Sequence, residues 1–95
     1  MKKSKHQSDD EKLAAYAKAL GHPMRVRIMR LLARQGTCQT GSLVELMPVA
    51  QSTVSEHLRI LREAGLVIGE IDGPRRCYCI NPEGLDTARR MLGEL

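Results

Sequence analysis

Two groups of residues in this chain could do chemistry. The first is a run of mostly short polar side chains, Gln51, Ser52, Thr53, Ser55, Glu56 and His57, followed by Arg59. Val54, Leu58 and Leu61 recur among them at i, i+4 and i+7, which predicts a helix over Gln51–Ala64 with its polar side opposite. Such side chains hydrogen-bond the edges of bases. Glutamine can read adenine through two bonds, arginine reads guanine or holds a phosphate, and serine and threonine adapt. Short polar residues also populate helix N-termini for structural reasons alone, so the neighbouring elements must decide. The second group is Cys38, Cys77 and Cys79. Residues two apart on a strand share a face, and clustered thiolates suit a soft, thiophilic ion.

The elements around the polar helix favour base reading. Before it, Thr40 can cap a short helix over Ser42–Met47, which Pro48 closes; Gly65 caps the longer helix at its end. A short helix, a tight turn and a longer helix with a polar start describe a helix-turn-helix. After it, Leu66–Ile71 and Arg75–Ile80 are β-rich and flank the turn Asp72-Gly73-Pro74, which predicts a hairpin. Arg75 and Arg76, just past that turn, suit a wing that reaches an adjacent groove or phosphate. His57 could donate to a phosphate or bond within the domain, the internal role weighing slightly more.

Upstream, Ser8-Asp9-Asp10-Glu11 reads as a capping box, opening a helix to about Leu20 with Leu13, Tyr16, Ala17 and Leu20 on its apolar face. Gly21 stops it, and Pro23 suits the first turn of a second helix. That helix carries a stripe of Met24, Ile28, Leu31 and Leu32, and Gly36 ends it. Arg27, Arg30 and Arg34 lie on its other side, which reads first as a solvated face. Thr37-Cys38-Gln39 is a short extended link. Asn81 or Pro82 opens a last helix through Leu95, with Leu85, Ala88, Met91, Leu92 and Leu95 apolar. The expected fold is mainly α with a small β-hairpin, a winged helix-turn-helix, over 8–95, with 1–7 as a disordered basic arm.

The chain has 95 residues, no Phe or Trp and two Tyr. A core of aliphatic side chains this small is marginal in a monomer, and the apolar faces of the first and last helices are expected to bury each other in a homodimer. The formal charge is +4, a weak pointer to nucleic acid. Its distribution weakens the pointer further: residues 1–35 hold nine Lys and Arg against three acids, residues 36–95 six against eight. No apolar run approaches a membrane span, and the basic start lacks the apolar stretch of a signal peptide. An odd number of cysteines then favours reduced thiols in a cytoplasm. No phosphate-binding glycine loop, paired acids or nucleophile–His–Asp set is present, so an enzyme is not expected.

The stretches His22-Pro23-Met24-Arg25-Val26-Arg27-Ile28-Met29, Gln51-Ser52-Thr53-Val54-Ser55-Glu56-His57-Leu58 and Leu61-Arg62-Glu63-Ala64-Gly65-Leu66-Val67 resemble the arsenic-repressor (ArsR/SmtB) family of bacterial metalloregulators over roughly residues 12–92. The resemblance implies a homodimeric repressor of double-stranded DNA, joined through its first and last helices, that leaves its operator when an inducer binds. A two-fold dimer implies an imperfect palindrome with half-sites about 10 bp, or a multiple, apart. Two departures stand out. Ala50 holds the N-cap place where family members often carry Ser or Thr, at a cost of about 0.5–2 kcal/mol. The family's Cys-Val-Cys arsenic motif is matched only by Cys38-Gln39-Thr40-Gly41.

In winged folds the strand before the helix-turn-helix commonly pairs with the second hairpin strand, which would bring Cys38, Cys77 and Cys79 within ~5 Å of one another. Tyr78 and Ile80 would then face the core. Three thiolates fit arsenic(III) or antimony(III), as an inducer and not a required cofactor; structural zinc needs four ligands. The last helix offers Glu83, Asp86 and Glu94 but no histidine. Two other readings stay open: small inert thiols, and a redox switch. A Cys77–Cys79 disulfide fits the stereochemistry poorly. A winged-helix module that binds protein is the remaining alternative, and it would show no duplex affinity whose salt dependence could be measured.

Overall fold

The computed structural model describes the backbone of residues 5–35, 39–40, 50–72 and 75–95, and the side chains of 8–34, 50, 52–69 and 78–95. The element order is α1 (Lys5–Leu20), α2 (Pro23–Gln35), β1 (Gln39–Thr40), α3 (Gln51–Glu63), β2 (Val67–Asp72), β3 (Arg75–Ile80) and α4 (Pro82–Gly93). The architecture is mainly helical with a hairpin, as expected. The short helix expected over Ser42–Met47, the Gly36 cap and the hairpin tip at Gly73 and Pro74 lie outside the described residues.

Helix α1 begins at Lys5, so Ser8 sits inside it and is not its N-cap. Lys and Gln are good helix formers, and the helix takes an extra turn ahead of the acids. Its buried residues are Tyr16 and Ala19, with Leu13 and Leu20 packed beside them. Ala17 is exposed: the helix is rolled slightly from the face expected, and Ala19 takes the inner place. Pro23 opens α2 as predicted. The His22 ring caps this end, its Nδ1 accepting the Met24 N–H at 3.1 Å. Ile28, Met29 and Leu32 are buried, with Met24 and Leu31 at the margin.

Val54, Leu58 and Leu61 of α3 all point into the core, as their spacing requires. The Ala50 backbone is extended and gives no side-chain cap. At the other end Gly65 adopts φ 85°, the left-handed conformation that ends a helix. The Leu66 N–H reaches back to the Leu61 carbonyl at 3.0 Å and turns the chain into β2.

The sheet has order β1-β3-β2, antiparallel throughout. Val67 pairs with Ile80 and Gly69 with Tyr78; Val67 is buried, and Tyr78 and Ile80 pack against the core, as the alternation predicts. Helix α4 docks on the corner between α3 and β2. The Asn81 side chain donates to the Gly65 carbonyl at 2.8 Å, and Gly84 lies so close that a Cβ there would stand 1.8 Å from that same oxygen. Ala88 and Met91 face inward. Leu92 is 41% exposed and Leu95, beyond the helix end, 88%, so these two add nothing to this chain's own core. Among the described residues no helix is long and apolar enough to cross a membrane.

Candidate nucleic-acid interface

The polar residues of α3 divide between its two sides. Ser52, Thr53, Glu56 and Arg59 are exposed and Ser55 is half-buried. Gln51 starts the helix, but its side chain lies outside those described. Arg59 is held between two acids of its own helix. Its Nε donates to Glu56 at 3.0 Å and its Nη1 to Glu63 at 2.9 Å; Nη2 makes a further bond to Glu56. These hydrogen bonds, from Glu56 and then Glu63, raise the Arg59 pKa further above its usual range. The Arg59 hydrogen bond in turn holds the Glu56 carboxyl below the ordinary carboxylate value. All three side chains are in water, where such pairs are weak and screened by salt.

His57 is the correction within this set: it is buried and does not face outward with its neighbours. Arg25 Nη1 stands 3.2 Å from its Nδ1, and the His22 ring lies 4.5 Å away at 48°. Arg25 also donates to the Ala19 and Lys18 carbonyls at the end of α1; the Lys18 carbonyl accepts the Gly21 N–H as well, at 3.2 Å. One guanidinium therefore ties α1, α2 and α3 together. Burial, with the nearby His22 and Arg25 charges, pushes the His57 pKa down, against a smaller upward pull from Glu56. The ring is neutral and accepts from Arg25. Periodicity alone placed His57 beside the inward residues; its partner lies 32 positions earlier, beyond the reach of local reasoning.

Two residues absent from the sequence expectation stand beside the polar run. Arg62 and Tyr78 line one groove of about 340 Å³ with Ser52, Ser55, Glu56 and Arg59. Arg62 follows Ser55 by seven residues, so helical spacing could have flagged it. Tyr78 is brought there by the sheet. Arg75 and Arg76 begin β3 at the hairpin's free end, with side chains outside those described.

The cysteines depart from expectation. Cys79, half-buried in β3 opposite Ile68, has its sulfur in a disulfide, which corrects the reading of reduced thiols at that residue. Within the chain only Cys38 and Cys77 could be its partner, and neither side chain is among those described. The sequence could count thiols but not say which ones strand pairing joins. Cys77 pairs through its backbone with Thr40 of β1 and Glu70 of β2, so the expected pairing of the short strand with the second hairpin strand is present. Among the described residues no three His, Cys, Asp or Glu side chains could hold a metal ion. At the end of α4, Glu94 is paired with Arg90 at 3.0 Å.

The family profile described as "Bacterial regulatory protein, arsR family" matches residues 22–68. An uncharacterized HTH-type transcriptional regulator of Methanocaldococcus jannaschii is 33% identical over 85 residues, covering 90% of this chain and 96% of that protein. Among solved structures, a possible transcriptional regulator for arsenical resistance superposes with a TM-score of 0.74 at 36% identity, over 81% of this chain and 79% of the other. The homodimeric winged helix-turn-helix DNA-binding domain of a possible ArsR-family regulator from Mycobacterium bovis superposes with a TM-score of 0.77 at 26% identity, over 97% of this chain and 82% of the other.

Proposed function

The chain belongs to the ArsR family of bacterial regulatory proteins, which are transcriptional regulators and not enzymes, and we propose that it is a homodimeric repressor released from its operator by a thiophilic metalloid such as arsenite. The observation that carries the DNA half is the exposed polar edge of α3, Ser52, Thr53, Glu56 and Arg59, beside a sheet whose hairpin end begins with Arg75 and Arg76. One helix fits the major groove and reads with its N-terminal residues, and a wing contacts the flanking backbone. The dimer is supported by Leu92 and Leu95, apolar and exposed on and just past α4, next to α1. Asp9, Asp10, Leu13, Met91 and Leu95 line a shallow groove between these helices. Two such chains about a two-fold axis fit an imperfect palindrome with half-sites about one helical turn apart. Such a regulator works in the cytoplasm.

The inducer half rests on the strand pairing. Thr40 lies opposite Cys77 and Gln39 opposite Tyr78, on the strand that carries Cys77 and Cys79, and Cys38 is the residue before Gln39 in the sequence. Three thiolates there suit arsenic(III) or antimony(III), and the Cys79 disulfide must first be reduced for its sulfur to serve as a donor. The ion would draw β1 against the wing and shift α3. The test is binding of the purified, reduced protein to its own upstream promoter fragment, with and without arsenite. Release by arsenite, lost in Cys77→Ser while DNA affinity is kept, is the expected result; normal release in that variant would rule the cysteine mechanism out.

A second reading is favoured by one observation, the disulfide at Cys79. Oxidation itself would then be the signal: two thiols and one hydrogen peroxide give a disulfide and two waters. Peroxide in place of arsenite in the same binding assay separates the two.

A further inference from the structure

We propose that Arg62 and Tyr78 bind one phosphate of the DNA backbone in the groove between α3 and β3. This contact rests on the DNA reading of α3 and adds to it a pair of residues outside the polar run at the helix start. Three observations carry it. The first is availability. Both carboxylates near the groove, Glu56 and Glu63, are engaged by Arg59, whereas the exposed Arg62 guanidinium makes no hydrogen bond or ion pair among the described residues. Among the described residues it is the arginine of α3 that can take an anion without first giving up a partner.

The second is placement. Tyr78 lies directly across from Gly69 in the ladder, and a Cβ at Gly69 would stand 2.9 Å from Tyr78 Cε1 and 3.3 Å from Arg62 Cδ. The bare glycine backbone thus lets the tyrosine ring and the arginine stem lie side by side over β2. The ring limits the freedom of the stem, so less is lost when the guanidinium is fixed on a ligand. The third is chemistry. A guanidinium fork matches phosphate oxygens, and the Tyr78, Ser52 and Ser55 hydroxyls in the same groove are the kinds of donor that proteins place on DNA phosphates. The groove joins the reading helix to the wing, the two elements that must straddle the sugar–phosphate backbone for the helix to enter the major groove.

The test compares full-length wild type with Arg62→Ala, Arg62→Lys and Tyr78→Phe on the promoter duplex and on an unrelated duplex, across a range of salt. One phosphate contact contributes about 0.9 to the slope of log K against log salt. Arg62→Ala removes one such contact from each subunit, so for a dimer seated on both half-sites it should lower the magnitude of the slope by about 1.8, and it should weaken both duplexes alike. Arg62→Lys should keep the slope with reduced affinity, since the charge stays and the fork is lost. Tyr78→Phe should keep the slope and the fold, because the ring remains, and weaken binding by less. A slope unchanged in Arg62→Ala, or a loss confined to the promoter sequence, overturns the phosphate contact alone. A wild-type chain that binds neither duplex overturns the DNA reading and this contact with it.

Discussion

The two sides of α3 are each organised by an arginine, and the arginines work differently. On the inward side Arg25 is partly buried and fixed: it closes the end of α1 through the Lys18 and Ala19 carbonyls and holds His57. Val54, Leu58 and Leu61 pack around that junction almost without exposure. Among the described residues no buried side-chain polar atom lacks a partner. On the outward side Arg59 sits in water between Glu56 and Glu63, in pairs that salt and competing anions can exchange. The inward side fixes where the helix lies; the outward side stays free to change partners. A protein that must meet DNA with a rigid helix and a negotiable surface needs both.

Perturbing the inward side should have the largest effect. Gly84→Ala pushes a methyl group into the Gly65 carbonyl, which is backbone and cannot swing aside, so α4 must move off the end of α3. Overpacking of this kind costs about 3 kcal/mol, to be read as a shift in urea midpoint. A wild-type midpoint would mean that α4 does not rest on that turn. Arg25→Ala should cost less, about 1–2 kcal/mol, since it leaves the Ala19 carbonyl and His57 short of a donor. Its salt slope for DNA should stay that of wild type, because Arg25 serves the interior. A reduced slope would place it on the DNA.

Acidification tests the same junction more gently. The His57 pKa is lowered in the folded chain by burial and then by the His22 and Arg25 charges, while in the unfolded chain it returns to about 6.5. The unfolded state therefore binds the proton first as pH falls. The stability that this group contributes is full above about 6.5 and is lost as pH falls through the lower, folded pKa. Tm measured from pH 8 downward should decline below about 6.5, and His57→Gln should flatten that decline. An equally steep decline in the variant would assign it to other groups.

Local pattern exposed the inward side well and the outward side poorly. Val54, Leu58 and Leu61 follow from helical spacing, the wing from β-rich runs about a turn, and the Gly65 cap from glycine's freedom at positive φ. What local pattern missed is tertiary. Ala19 replaces Ala17 because packing sets the roll of α1. Gly84 reads as a poor helix residue until Gly65 is seen against it. Arg59 is the exception: Glu56 and Glu63 lie three and four residues away on the same helix, a spacing that pairs charges and was legible locally. Arg62 and Tyr78 share a groove only because Gly69 of β2 leaves room for the ring and the arginine stem to meet over it.

The smallest perturbation acts on the outward side alone. Glu56→Gln removes a carboxylate from the edge of α3 that would face DNA and leaves Arg59 its bonds to Glu63. With both groups in water, the unfolding midpoint should not move. Duplex binding should tighten several-fold at low salt, because a negative charge near the phosphates is gone and Arg59 is less firmly held. The gain should shrink as salt screens both effects. The opposite result, weaker binding confined to the promoter sequence, would show that Glu56 itself accepts from a base, as a carboxylate can from the cytosine amino group. The outward side would then be a set of fixed reading contacts, and its difference from the inward side would lie in exposure alone.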